Sequence, residues 1–317
     1  MEYNFLGQTG LKVSKLCFGT LALGPLQADI NMDASVELIQ EALKHGINFY
    51  DTAELYQTYD RLGAAIKAFG RNSFVISTKS YAYDEETAKR SLDQALSEME
   101  TDYIDIFSLH EQESKDTLRG HMKALEYFQK MKSEGVIKAV GISTHHIAAV
   151  EAATVFNMID VIHPIINVSG LGIQDGTRQQ MEQAIKKAYK AGKGIYAMKV
   201  LGGGNLINQS DKCFDYILNH LDMMHSVAIG MRTSEEIKVN VLKFKLQEVP
   251  DELQNRVNTT QRQLLINYWC ELCGRCVEHC SHEALKISNN KVNIDKEKCV
   301  LCGYCGSWCP QLCIKII

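Results

Sequence analysis

Cysteine spacing carries the most specific chemistry in this chain. All eleven cysteines except Cys17 and Cys213 lie between Cys270 and Cys313. There CELCGRCVEHC and CVLCGYCGSWC repeat one pattern, C-x2-C-x2-C-x3-C, and Pro310 follows the second copy. A tight loop of this kind can aim three thiolates at one inorganic centre, while the fourth cysteine begins a segment leading away. Crowded thiolates in a chain expected to be cytoplasmic point to iron–sulfur ligation; the alternatives are zinc and a disulfide framework. A second set of residues could move protons: Asp51 and Tyr56 in YDTAELY, Lys79 in STKS and His110 in SLH. A phenol is a poor acid at neutral pH. A nearby ammonium stabilises its anion, a carboxylate holds the ammonium, and a histidine orients a carbonyl. Such a group can protonate an oxygen as hydride arrives at carbon.

These residues are far apart in sequence, so a repeating scaffold must gather them. Short β-rich apolar runs occur at 15–20, 47–52, 74–78, 103–109, 137–143, 161–167, 194–199 and 226–229. Helix-like segments follow at 34–45, 60–68, 85–99, 117–132, 145–155, 177–191, 211–220 and 234–244. Alternation of this kind implies parallel strands joined by crossover helices. Eight repeats close a (β/α)8 TIM barrel, whose active sites lie at the C-terminal strand ends. An open doubly wound sheet is the weaker alternative, because no GxGxxG follows the first run. Asp51, Tyr56, Lys79 and His110 fall at or just after the ends of strands two, three and four. The expected organisation is an N-terminal hairpin over 3–13 and a barrel within residues 1–245. A linker with one helix follows over 246–266, broken by Pro250, and then a small α+β cysteine domain over 267–317. Its two halves, 270–287 and 299–316, align with each other. Cys313 falls opposite Ala284, as a small-residue position outside the ligand set.

The formal net charge of −4 gives no basic surface for nucleic acid or anionic lipid. No long apolar run suits a membrane span. The N-terminal MEYNFLGQTGLKVSKL lacks a charged-then-apolar signal layout, so a cytoplasmic location is expected.

Two resemblances extend this reading. Residues 1 to about 245 resemble the aldo-keto reductase family through GLKVSKLCFGT, DTAELY with RLG after it, TKS, SLH, GVIKAVGIST and AMKVLGGGNL. The cysteine repeat resembles the bacterial two-cluster ferredoxins, and the whole chain looks like the reductase subgroup with a C-terminal 2[4Fe–4S] ferredoxin domain. The first resemblance implies Tyr56 as general acid, assisted by Lys79 and Asp51, with His110 positioning the carbonyl. NAD(P)H would lie across the barrel mouth, with Thr20, Ser143, Thr144, His163, Met198 and Lys199 around its nicotinamide end. Leu201, Gly202 and Gly204 of LGGGNL would approach the pyrophosphate, and Gly230, Arg232, Ser234 and Asn240 the adenosine end. His163 and Met198 stand where the family usually has Gln and a stacking Tyr, and Glu236 lies near a usual basic residue, which disfavours a 2′-phosphate. The second resemblance implies one cluster on Cys270, Cys273, Cys276 and Cys309 and another on Cys299, Cys302, Cys305 and Cys280.

Two functions follow as expectations. The first is NAD(P)H-dependent reduction of a carbonyl, or oxidation of an alcohol, coupled to or regulated by the clusters and open to a redox partner protein. The second is a ferredoxin-type electron-transfer protein whose barrel binds a substrate, or a flavin that no motif supports, reduced by single electrons. The cysteine domain replaces the tail with which relatives cover their substrate pocket, so it is expected beside the barrel mouth.

Overall fold

A computed structural model describes residues 1–317. The hairpin β1 (Tyr3–Phe5) and β2 (Lys12–Ser14) opens the chain. Its Leu6, Leu11 and Val13 pack with Cys17, Phe49, Ile106, Ala139, Val161 and Tyr196. The hairpin thereby closes one end of the barrel interior. Eight parallel strands follow: β3 (Leu16–Gly19), β4 (Phe49–Asp51), β5 (Val75–Ser80), β6 (Ile104–Leu109), β7 (Ile137–Thr144), β8 (Val161–Pro164), β9 (Gly194–Ala197) and β10 (Ser226–Gly230). They pair in chain order, and β10 pairs with β3 to close the barrel. The outer ring comprises α1 (Met32–Lys44), α2 (Tyr59–Phe69), α3 (Glu85–Glu98), α4 (Lys115–Gly120), α5 (Met122–Ser133), α6 (Ile147–Val155), α7 (Arg178–Lys190), α8 (Ser210–Leu218) and α9 (Ser234–Phe244).

Local sequence explains where these helices begin. Asp84 with Thr87, Ser114 with Thr117, and Thr177 with Gln180 form reciprocal capping boxes at α3, α4 and α7. The continuous helix expected over 117–132 is instead α4 and α5, divided at His121. The His121 ring donates from Nδ1 to the Thr117 carbonyl at 2.6 Å, competing with the backbone ladder. The sixth strand stops at Pro164, short of the expected Asn167.

Beyond the barrel, α10 (Asp251–Asn258) starts after Pro250, as expected. The next apolar residues are not linker: β11 (Leu264–Ile266) pairs antiparallel with β14 (Ile314–Ile316). Between them lie α11 (Arg275–Glu278), the hairpin β12 (Leu285–Ser288) with β13 (Lys291–Ile294), and α12 (Tyr304–Ser307). The two cysteine loops share one backbone turn. Leu272 and Leu301 have φ of 58° and 53°, and Gly274 and Gly303 both have φ of 80°. Ala284 and Cys313, opposite each other in the repeat, are both buried.

This C-terminal segment packs on the loops that follow β8 and β9. Leu312 is buried with the main barrel core. Gln174 donates to the Pro310 carbonyl at 2.9 Å, and Asn205 to the Ile314 carbonyl at 3.0 Å. The segment therefore sits at the C-terminal, active-site end of the barrel.

Candidate active site

Asp51 ends β4 and Lys79 lies near the end of β5, so strand pairing brings their side chains together. Both are buried, and the Lys79 ammonium donates to Asp51 Oδ1 at 2.8 Å, to Oδ2 at 2.9 Å and to the Thr52 carbonyl at 2.7 Å. A third partner was not visible in the sequence. The Tyr196 hydroxyl donates to Asp51 Oδ1 at 2.8 Å and is itself 2.8 Å from Ser77 Oγ. Period-two alternation along β9 turns Tyr196 inward, which a count of strand residues could have suggested.

Tyr56 sits in the short turn after β4, with the Lys79 ammonium 5.0 Å from its ring centre. The expected lowering of its pKa by Lys79 is not what the site produces. Burial pushes the Tyr56 phenol well above its usual range, and the Asp51 and Glu111 carboxylates add to this. The Lys79 donors point to Asp51 and Thr52, so none is hydrogen-bonded to the Tyr56 hydroxyl while the phenol holds its proton. Tyr56 is therefore a firmly held proton at neutral pH.

His110 follows β6. Its ring stacks on Tyr81 at 4.7 Å and meets Tyr56 edge-on at 5.8 Å. Burial, then the Lys79 and Lys199 charges, pull it well below the usual histidine range, so the imidazole is neutral. Its buried Nδ1 has no partner within the protein. Tyr81, whose sequence context says nothing of this role, also donates to Glu111 at 2.6 Å.

Asp51 and Tyr56 open into a cleft of about 730 Å³. Of the residues expected around a dinucleotide, His163, Met198, Lys199 and Leu201 line it, as do Gly204, Gly230, Arg232 and Asn240. Arg232 has a buried Nη2 without a partner. Five others do not line it. Thr20 bonds to the Asp51 carbonyl and Thr58, and Ser143 Oγ accepts from the Glu111 amide. Thr144 Oγ1 accepts from the His146 amide at the start of α6. Ser234 Oγ lies 3.3 Å from Glu41, and Gly202 turns toward Leu171 and Leu206. Thr20, Ser143 and Ser234 are engaged by neighbouring elements, and Thr144 by its own strand-to-helix loop.

Within LGGGNL the close backbone approach is made to the protein's own C-terminus. A Cβ on Gly204 would stand 2.0 Å from the Ile316 carbonyl oxygen. Glu236 is engaged too, accepting from the Arg232 amide at 2.7 Å and from Arg262 at 3.2 Å. His163 donates from Nδ1 to the Tyr196 carbonyl at 2.6 Å, and burial holds it down to about 4. His145 accepts from the Lys199 ammonium at 2.8 Å.

The cysteines are all unbridged. Burial raises the Cys276 thiol, and the nearby Cys270, Cys309 and Cys273 add to that. Cys280, Cys299, Cys302 and Cys305 line one small apolar cavity. No three His, Cys, Asp or Glu side chains are gathered closely enough to hold a metal ion. A cubane spreads its four ligands over separate corners. Cys309 and Cys313 lie 3.2 Å apart, and the Cys313 thiol pulls Cys309 down to about 6.

Comparison with known proteins places this geometry. The aldo/keto reductase family profile matches residues 15–268. The chain belongs to the aldo/keto reductase family. Members of that family are oxidoreductases, and this chain is an aldo/keto reductase-like enzyme. It is 29% identical to L-galactose dehydrogenase from Arabidopsis thaliana over 227 residues, covering 66% of this chain and 68% of that one. It is 26% identical to methylglyoxal reductase DkgA from Yersinia pestis over 242 residues, covering 72% and 84%. Among solved structures, an aldo-keto reductase from Bacillus halodurans in its holo form superposes with a TM-score of 0.64 at 22% identity. It covers 81% of this chain and 95% of that one, and at this identity the likeness is one of fold. No helix is long and apolar enough to cross a membrane.

Proposed function

We propose that this aldo/keto reductase reduces a small-molecule carbonyl, or oxidises the corresponding alcohol, with NAD(P)H. The observation that carries this reading is the Asp51–Lys79 pair buried beneath Tyr56, with neutral His110 beside it. A nicotinamide dinucleotide fits the cleft on two counts. The volume suits a cofactor-sized ligand, and the unpartnered Arg232 Nη2 offers a donor to a phosphate. Arg232 and Asn240 would hold the adenosine end, and Met198 and His163 would flank the nicotinamide end. When bound, the reduced nicotinamide supplies hydride. The protein's residues do the rest. Tyr56 gives its Oη proton to the carbonyl oxygen as charge develops there, and His110 donates a hydrogen bond that orients the same oxygen. The Lys79 ammonium, pinned by Asp51, stabilises the resulting phenolate electrostatically. Tyr196 and Ser77 keep Asp51 in place.

We infer further that residues 267–317 form a two-cluster ferredoxin-like domain, with residues 1–245 as the barrel domain. Cys270, Cys273, Cys276 and Cys309 would hold one [4Fe–4S] cluster, and Cys299, Cys302, Cys305 and Cys280 the other. The shared turn of the two loops and the single cavity lined by the second set support this reading. When bound, such clusters exchange single electrons, and their place at the barrel mouth would let a redox partner or the substrate share them.

The electron-transfer alternative, without nicotinamide, draws on one observation: Ser143 and Thr144 do not line the cleft, and their hydroxyls are bonded within the protein. Anaerobic titration with NADH and NADPH separates the two. Nicotinamide binding at micromolar concentration is expected, and Tyr56→Phe is expected to lower carbonyl reduction by about 10²–10⁴-fold without changing iron content. A cluster-loaded protein that binds neither nucleotide would sink the nicotinamide reading. Iron and acid-labile sulfide analysis, expected to give two four-iron clusters, tests the cysteine assignment.

A further inference from the structure

Two lysines reach the barrel mouth without a carboxylate salt-bridge partner. Lys199 follows β9 in left-handed backbone, φ 58°, a conformation unfavourable for a residue with a Cβ. Its ammonium meets His145 Nε2 at 2.8 Å, an acceptor that carries no charge. Lys315 comes from β14, at the other end of the chain, and is 6% exposed. Neither hydrogen bond nor salt bridge engages its ammonium. Its stem crosses Gly203, where a Cβ would stand 2.9 Å from Lys315 Cδ and 3.1 Å from Nζ. Both lysines line the cleft that holds Asp51 and Tyr56.

The nearby carboxylates are committed elsewhere; burial pulls Lys199 well below and Lys315 below the usual lysine range, and at Lys315 the Cys309 and Cys313 sulfurs oppose that pull. Asp51 is shared between Lys79 and Tyr196, and Glu111 is exposed and accepts from Tyr81. His110, His145 and His163 are held neutral by burial and bring no negative charge. Two ammonium groups that face one cavity with no carboxylate on either repel each other, and an anionic ligand entering the cavity would complete both.

We propose that Lys199 and Lys315 form an oxyanion site beside Tyr56 and His110, and that the substrate is a carbonyl compound carrying a carboxylate, such as a 2-oxo acid. The proposal rests on the carbonyl-reductase reading for its substrate but not for its site. The Tyr56–His110 pair takes the carbonyl oxygen, and the two ammonium groups take the carboxylate. The C-terminal segment thus contributes a specificity residue that the barrel alone lacks. An oxyanion could also come from the phosphates of the dinucleotide, so the test uses both sources.

Binding of phenylglyoxylate, its neutral methyl ester and adenosine 5′-diphosphate is measured by calorimetry on the full-length protein, Lys199→Met, Lys315→Met and Lys315→Arg. The acid is expected to bind at least about tenfold more tightly than the ester. Each Met variant is expected to lose about tenfold or more in affinity for the acid, and Lys315→Arg to keep most of it. Ligand-free Lys315→Met should melt at a higher temperature than wild type, because an unpartnered charge has left the interior; a merely structural lysine would lower it. Loss of adenosine diphosphate binding with acid binding intact overturns the carboxylate assignment. Unchanged affinity for both in the two Met variants overturns the site. Acid binding by a protein that oxidises no nicotinamide would defeat the reductase reading and leave the site standing.

Discussion

Asp51 is the residue on which the site turns, since Lys79, Tyr196 and, at 3.7 Å, His163 all address its Oδ1 side. Removing one partner of such a buried pair leaves the other charge unpaired. Lys79→Met should therefore destabilise the protein by about 3–5 kcal/mol in chemical denaturation, beyond any effect on activity. Tyr196→Phe removes a neutral donor to a charged acceptor and should cost about 1–3 kcal/mol. The same measurement at several pH values tests His163. Its folded value of about 4 lies below the unfolded value of about 6.5, so the unfolded chain binds the extra proton between them. Stability should be full above about pH 6.5, fall through that window, and level below about pH 4, by about 3 kcal/mol from this group. His163→Asn should flatten part of the slope. It should not abolish it, because His110 and His145 are depressed by the same burial.

Two short loops decide how the C-terminal segment meets the barrel. Gly204 has φ of 88° with the Ile316 carbonyl 2.0 Å from any Cβ, and Gly303 has φ of 80° with the Asn205 carbonyl at 2.1 Å. A side chain at either point forces backbone from backbone, and the left-handed conformation adds its own penalty. Gly303→Ala should loosen the segment while leaving the barrel folded. Faster proteolysis between residues 246 and 317, with unchanged far-ultraviolet dichroism of the barrel fragment, would show this. Cleavage at the wild-type rate would mean that the loop yields without releasing the segment.

At the scale of the whole molecule, Leu312 plugs the C-terminal segment into the main core, against Gly172 and Ile165. Leu312→Ala should cost about 2–5 kcal/mol, read from the denaturant midpoint at constant slope. Much of this architecture was legible in the chain. The alternation of runs and helices predicted all eight barrel strands, because short apolar runs and helix patterning are local. The cysteine repeat was legible for the same reason: thiolates spaced two residues apart must share a loop. Asp51, Tyr56 and Lys79 could be found because each closes or follows a recognisable strand. What escaped depends on contacts between distant residues. Tyr196 reaches Asp51 across the barrel, Lys315 reaches Lys199 from the last strand, and Leu264–Ile266 becomes a strand only by pairing with Ile314–Ile316. The hydroxyls of Ser143 and Thr144 do not line the cleft, because the loop after the neighbouring strand and the start of the next helix take their hydrogen bonds. Local spacing specifies which element a residue belongs to, whereas its partner is set by closure of the barrel and the docking of the chain's end.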